Sequence, residues 1–108
     1  MSFQLGATML DALVLAIVNE EDTYGYSISQ QIKQVVDLKE STLYPVLKRL
    51  QEVNYLTSYD QAYQGRNRRY YQITPEGVHR YDEYINEWDD FKTAVERILI
   101  RKERDNNE

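Results

Sequence analysis

Positively charged side chains cluster beside tyrosines in one short stretch of the sequence. Arg66, Arg68 and Arg69 lie within four positions of one another and are followed directly by Tyr70 and Tyr71. A guanidinium group binds phosphate oxygens bidentately. Because a basic loop has no role in an apolar core, we expect Arg66 and Arg68 to reach the phosphates or the adjacent minor groove of a nucleic acid.

The net charge of the whole chain is negative, although one part of the sequence carries an excess of positive charge. The 108 residues contain 13 Lys and Arg against 18 Asp and Glu, for a net charge of −5. Residues 33–69 carry a net +3, whereas residues 1–32 and 70–108 each carry −4. Since local charge decides where a polyanion docks, the middle third is the candidate docking region. An excess of three charges is equally compatible with an ordinary solvated surface.

The remaining reactive residue types argue against an enzyme. The sequence has no Cys and one His, which excludes disulfides, thiolate chemistry and Cys/His metal sites. His79 has no nucleophile to activate, and the adjacent Asp89 and Asp90 diverge if they lie on a helix. We therefore expect no catalytic site, no metal and no cofactor.

The sequence also argues against a membrane protein. Its longest apolar stretch, 12–18, has seven residues, whereas a membrane-spanning helix needs about 20. No basic region precedes an apolar run near residue 1, so a secretory leader is not expected. These observations predict a single cytoplasmic domain with no membrane partner.

Apolar residues recur at spacings of three and four in three successive segments. They predict helices over about 6–19, 23–35 and 41–54, with Thr23 as the cap of the second helix and Asn54 as the stop of the third.

The third predicted helix carries candidate contact residues. Ser41 or Thr42 is expected to cap its first turn. Lys48 and Arg49 are adjacent and diverge by about 100° around a helix. We expect Lys48 to share a face with Tyr44 and Arg49 to pair with an acid.

After the third helix the pattern becomes typical of β-strands. Segments 55–59 and 69–74 are rich in strand-forming residues, and the Gly and Asn between them suit positive φ. They predict a two-stranded hairpin with a basic tip over 63–68, which must pack on the helices to be stable. Thr74 then caps a fourth helix, over 75–101.

The fourth helix is too long for the rest of the molecule to cover. It would measure about 40 Å, against a body about 25 Å across, so it overhangs and its apolar seam needs a second copy of the chain. We expect a homodimer formed through Val78, Tyr81, Ile85, Trp88, Val95 and Leu99.

The order of elements predicts a mainly α protein with a small β-hairpin. It is the order of a winged helix-turn-helix domain, over 1–74, followed by a long C-terminal dimerisation helix, over 75–102, and a polar tail, over 103–108. In such a fold the third helix enters the major groove of double-stranded DNA and the hairpin follows the backbone. A symmetric dimer then contacts two half-sites.

Three ordered motifs carry a resemblance to a known family. They are YGYSI at 24–28, STLYPVLKRL at 41–50 and GRNRRYYQIT at 65–74, the last followed by Pro75, Glu76 and Gly77. Over about 5–101 the chain resembles the PadR family of bacterial transcriptional regulators. Its single long last helix is similar to that of the small subfamily, which includes a lactococcal multidrug-responsive repressor. The resemblance implies a homodimeric winged-helix repressor. It departs at 19–23, where acidic residues replace the Gly-Pro turn of many members.

The resemblance also implies which residues face the DNA. They are Tyr26, Ser41, Thr42, Tyr44, Lys48, Arg66 and Arg68. Two alternatives stay open at this point. Tyr26 could be a core tyrosine, and Ser41 and Thr42 could serve only as helix caps.

In the multidrug-responsive subfamily, a Trp on the last helix lines an apolar pore at the dimer centre and stacks on planar drugs. Trp88 occupies the matching place, which implies a planar apolar or cationic small-molecule effector. The pore residues would be Thr8, Asp11, Ala12, Tyr84, Ile85 and Trp88. Asp11 and Asp89 would favour cations. A filled interface without a pore is the alternative.

Two functions of different classes follow from these observations. The first is a sequence-specific DNA-binding regulator that represses by occluding a promoter and is relieved by its effector. The second is a winged-helix interaction module that binds another protein through its acidic last helix and does not bind DNA. The net charge of −5 favours the second, and the basic middle third favours the first.

Overall fold

A computed structural model describes residues 6–101, which form four helices and a three-stranded antiparallel sheet. The elements are α1 (Ala7–Glu20), β1 (Thr23–Tyr24), α2 (Gly25–Ile32), α3 (Glu40–Glu52), β2 (Leu56–Tyr63), β3 (Arg66–Ile73) and α4 (Pro75–Leu99). This order confirms the mainly α winged helix-turn-helix fold with a long last helix. The predicted tail over 103–108 lies outside the described residues.

The core forms where the apolar faces of the first three helices meet. On α3, Leu43, Leu47 and Leu50 are at most 1% exposed, and on α1 Val14 and Leu15 are fully buried. The three leucines recur at spacings of four and three, so they share one face of α3. Burial of each contributes about 1.5–3 kcal/mol. The opposite face of α3 therefore points away from the core.

A short third strand joins the hairpin. In β1, Thr23 pairs with Tyr71 and Tyr24 pairs with Tyr70, so the strand order is β1-β3-β2. The prediction that Thr23 caps the second helix is wrong, because Thr23 lies in the strand and Tyr24 is the N-cap residue of α2. Two residues are too few to show the alternation by which a strand is recognised.

The second helix ends at Ile32, three residues before its predicted end. Val35 is 67% exposed and Val36 is 38% exposed. Both continue the helical spacing of apolar residues without reaching the core, which is why periodicity alone overextended the helix.

The two ends of α3 differ in how well the sequence predicted them. Lys39 is its N-cap residue, so Ser41 and Thr42 already lie inside the first turn, and the expectation that one of them caps the helix is wrong. Asn54 has a φ of 66°. The Asn54 and Tyr55 amides donate to the carbonyls of Gln51 and Leu50 at 3.0 and 2.9 Å, which is a Schellman motif. Asn54 is confirmed as the stop.

The hairpin of β2 and β3, which is called the wing below, turns in two residues rather than in the predicted loop over 63–68. Gln64 and Gly65 have φ values of 51° and 78°, the left-handed pair that a type I′ hairpin turn requires. The strands therefore extend to Tyr63 and from Arg66. Arg66 and Arg68 lie on β3 and not in a loop.

The start of α4 matches its prediction. Thr74 Oγ1 accepts a hydrogen bond from the Gly77 amide at 2.9 Å, and Pro75 is the first helical residue. The helix has 25 residues, which corresponds to about 37 Å. Because the molecule measures 67 × 26 × 21 Å, α4 extends well beyond the body, as expected.

A substitution at Gly77 tests how closely the start of α4 packs against Tyr55 and Ile73. A Cβ at this position would overlap the Tyr55 carbonyl oxygen and would lie 2.7 Å from Cγ1 of Ile73. We expect Gly77→Ala to lower the free energy of unfolding by about 1–3 kcal/mol, because the backbone must shift. Urea denaturation measures the change. Asn86→Ala, on an exposed part of the same helix, should leave stability unchanged or slightly raised. A Gly77→Ala protein as stable as wild type would contradict the close packing.

Candidate nucleic-acid interface

One stripe of α3 carries polar side chains away from the core. Ser41, Tyr44 and Lys48 are exposed and follow one another at spacings of three and four, so they share a face. Thr42 lies about 160° around the helix from Tyr44. It lines a groove with Leu38, on the side of α3 that faces α1. The structure thus brings together three of the four α3 candidates and places Thr42 on the other flank.

The glycine of the YGY motif is explained by its contact with α3. A Cβ on Gly25 would lie 2.9 Å from both Cε1 and Oη of Tyr44, so the Tyr44 ring lies directly on the backbone that starts α2. The next residue, Tyr26, is 59% exposed, which removes the alternative of a core tyrosine. Tyr44 of the second motif therefore packs on the first motif at Gly25, and Tyr26 follows that contact as an exposed residue of α2.

The inner face of the sheet, which is the face that carries Tyr71, points toward the helices. Tyr71 is buried and belongs to the hydrophobic core. Burial raises the pKa of the Tyr71 phenol, with the charge of Arg69 opposing the rise and Tyr44 adding to it. Arg69 is exposed and pairs with Asp60 at 3.5 Å. Arg69 belongs to the basic cluster of the sequence but was not among the residues expected to contact DNA, and strand alternation places it on the same face as Tyr71.

On the opposite, outer face of the sheet, the Arg68 guanidinium packs against two tyrosine rings. Its Cζ lies 3.9 Å from the ring centroids of both Tyr24 and Tyr63. A hydrogen bond with Tyr70 raises the pKa of the Arg68 guanidinium. Tyr70 in turn stacks on Tyr59, with centroids 5.7 Å apart and planes 12° apart. These contacts fix the Arg68 side chain.

Arg66 opens β3 directly after the turn and is exposed. By strand alternation it shares the outer face with Arg68, whereas Arg69 lies on the inner face. The wing therefore carries cations on both faces.

A buried carboxylate lies behind α3. Asp11 is 6% exposed. Its Oδ1 accepts from Arg49 Nη2 at 2.5 Å, and its Oδ2 accepts from Tyr84 Oη at 3.4 Å. The hydrogen bond to Asp11 raises the pKa of Arg49, and burial is the main cause that raises the pKa of Tyr84. The expected pairing of Arg49 with an acid is confirmed.

The residues expected at a dimer interface or effector site differ in exposure. Ile85 is 46%, Trp88 38% and Leu99 76% exposed. The residues that are half-buried are Thr8, Ala12, Val78, Tyr81 and Val95. Asp11 and Tyr84 are buried and bonded to each other, so within one chain they do not present a surface to a ligand.

Residues 6–101 form neither a metal-binding cluster nor a membrane-spanning helix. No group of three or more His, Asp or Glu side chains in this range is placed to hold a metal ion. No helix of the same range is long and apolar enough to cross a membrane.

Comparison with known proteins connects this geometry to a family. The model of the transcriptional regulator PadR-like family matches residues 14–83. A protein of Lysinibacillus sphaericus is 35% identical over 95 residues, which cover 83% of this chain and 87% of that protein.

Solved structures share the fold. A crystal structure of a Streptococcus mutans protein is 42% identical, with a TM-score of 0.85, over 92% of this chain and 93% of that chain. A PadR family transcription regulator from Clostridium difficile is 33% identical, with a TM-score of 0.78, over 83% and 97% of the two chains. Bacillus subtilis PadR in complex with operator DNA is 22% identical, with a TM-score of 0.66, over 71% and 46%, and shows similarity of fold alone.

Proposed function

This chain belongs to the PadR-like family of transcriptional regulators, and from that premise we propose that it acts by binding a specific sequence of duplex DNA. The observation that carries the proposal is the exposed stripe of α3. Ser41, Tyr44 and Lys48 point away from the core beside Tyr26, on a helix whose other face is fully buried.

The dimensions of α3 suit the major groove. Its 13 residues correspond to about 20 Å, and the major groove, about 12 Å wide, accepts a helix of this diameter. Hydroxyl and ammonium groups of Ser41, Tyr44 and Lys48 would contact base edges and sugars. Arg66, with Arg68 held behind it, would contact phosphates at the wing. Bacillus subtilis PadR, which shares the fold, has been crystallised with operator DNA.

The protein acts as a homodimer and as a repressor in this proposal. α4 extends past the body and exposes Ile98 and Leu99 by 63% and 76%, and exposed apolar side chains of this kind are covered by a second copy. Val78, Tyr81 and Val95 would continue that contact. A twofold pair places two α3 helices on successive half-sites, about 34 Å apart, and so occludes a promoter.

A planar apolar or cationic effector would relieve the repression. Trp88 and Ile85 are exposed by 38% and 46% on α4, and a Trp face attracts cations and flat rings. Thr8 and Ala12 of α1 would complete the effector site. An effector shifts the dimer only if it binds one arrangement better than the other.

The wing is tested by the salt dependence of DNA binding. A duplex selected by the wild-type protein from a random pool, and a scrambled duplex, serve as probes. We expect Arg66→Ala to weaken binding to both and to reduce the slope of log K against log salt by about 0.9, because one phosphate contact is lost. Mobility shifts at several salt concentrations measure the slope.

Arg97→Ala, on an exposed part of α4 away from the apolar seam, is the matched control and should leave the slope unchanged. An Arg66→Ala protein with the wild-type slope would exclude the wing from the interface. If the wild-type protein prefers no sequence at any salt concentration, DNA regulation is overturned and the interaction module becomes the favoured function.

The effector site is tested through Trp88, which is the one Trp of the chain. Titration with acridine orange, a planar cation, should quench its fluorescence, because the dye stacks on the indole. Tetrapropylammonium, a cation that is not planar, should cause less quenching at equal concentration. An unchanged emission with the planar dye would contradict an effector site at Trp88.

A further inference from the structure

A line of polar contacts crosses the protein from α3 to α4 through one buried carboxylate. Asp11, midway along α1, binds Arg49 of α3 through one oxygen and Tyr84 of α4 through the other. The Arg80 guanidinium covers the Tyr84 ring, with its Cζ 3.9 Å from the centroid. Three helices therefore meet at Asp11, which is 6% exposed.

Stability alone is a weak reason for such a cluster. Asp11 loses its water in this ion pair, whereas the Arg49 side chain stays 47% exposed and solvent screens the attraction, so the pair adds little net stability. A charge-assisted hydrogen bond does supply a fixed direction. The other contacts of α3 with the core, through Leu43, Leu47 and Leu50, determine which face of the helix is buried. Because apolar contacts are non-directional, they do not by themselves fix the exact rotation of the helix about its axis.

The two flanks of α3 are held by different contacts. On one flank the Tyr44 ring lies on the backbone of Gly25. On the other flank, about 140° around the helix, Arg49 is bonded to Asp11. Ser41 and Lys48 lie between these two contacts around the helix, so both contacts set how far they are rotated toward DNA.

The bond to Tyr84 links this arrangement to α4. Tyr84 lies one turn before Trp88, and its hydroxyl is the second donor to Asp11. A shift of α4 that withdraws the hydroxyl would leave a buried carboxylate oxygen without its hydrogen bond, which is costly. The positions of α3 and α4 are therefore energetically connected through Asp11.

We infer that Asp11 is a positioning residue, which fixes the rotation of α3 on DNA through Arg49 and ties that rotation to α4 through Tyr84. The inference rests on the proposed DNA binding and extends it. A protein that selects no duplex from a random pool would overturn both, whereas the two variants below can fail while DNA binding stands.

The role of Arg49 in fixing the rotation of α3 about its axis is tested by Arg49→Lys. This substitution keeps the positive charge but loses the planar guanidinium geometry. The probes are the selected and scrambled duplexes. We expect the Kd for the selected duplex to rise about tenfold, whereas the Kd for the scrambled duplex changes by less than about twofold. Arg97→Lys, near the end of α4, should change neither. Equal weakening for both duplexes, or an unchanged Kd for the selected duplex, would overturn the role of Arg49.

The link to α4 is tested by the fluorescence of Trp88. Binding of the selected duplex should change the emission of the wild-type protein, because α3 and α4 move together. Tyr84→Phe removes the hydroxyl and keeps the ring, and should reduce that change by about half or more. Tyr55→Phe, which removes a hydroxyl outside the proposed DNA, dimer and effector contacts, should keep the wild-type response. The link between α3 and α4 would be overturned if the Trp88 emission of the wild-type protein did not change on duplex binding. It would also be overturned if the Tyr84→Phe protein responded as the wild type does.

Discussion

Burial of the leucine face of α3 is the constraint on which the rest of the structure depends. Leu43, Leu47 and Leu50 are packed to at most 1% exposure, so the helix has one orientation that satisfies the hydrophobic effect. That orientation turns Tyr44 and Lys48 outward. The same packing leaves room for Tyr44 only because Gly25 has no side chain. The arrangement that would meet DNA is thus a consequence of the core.

Local sequence patterns predicted the parts of the fold that local forces determine. Apolar spacing identified the helices, Thr74 and Pro75 gave the start of α4, and Asn54 gave the end of α3. Two of the failures occurred where structure outside a segment determines the conformation of that segment. Thr23 enters a strand because Tyr71 is available to pair with it. Gln64 adopts a positive φ because the twist of the two strands favours a two-residue turn.

In the candidate site, too, the sequence predicted the features that one segment determines and missed those that depend on distant residues. Sequence identified the exposed α3 stripe and the wing cations, because charge and helical spacing are visible in one segment. It could not reveal that Arg68 is clamped between Tyr24 and Tyr63, which come from different strands. Nor could it reveal that Asp11 and Tyr84, expected to line a pore, are bonded to each other. Both are contacts between side chains that are far apart in sequence.

The central claim, that α3 and the wing of two paired chains face one DNA duplex, can be tested by directed cleavage. Since the chain has no Cys, each introduced cysteine is unique and can carry an iron–EDTA group. We predict that Glu52→Cys on α3 and Asn67→Cys on the wing cut the selected duplex at adjacent positions, and that each pattern repeats about one helical turn away with twofold symmetry. Thr93→Cys on α4 should cut neither position. A single unrepeated pattern, or cleavage from only one of the two segments, would contradict the account.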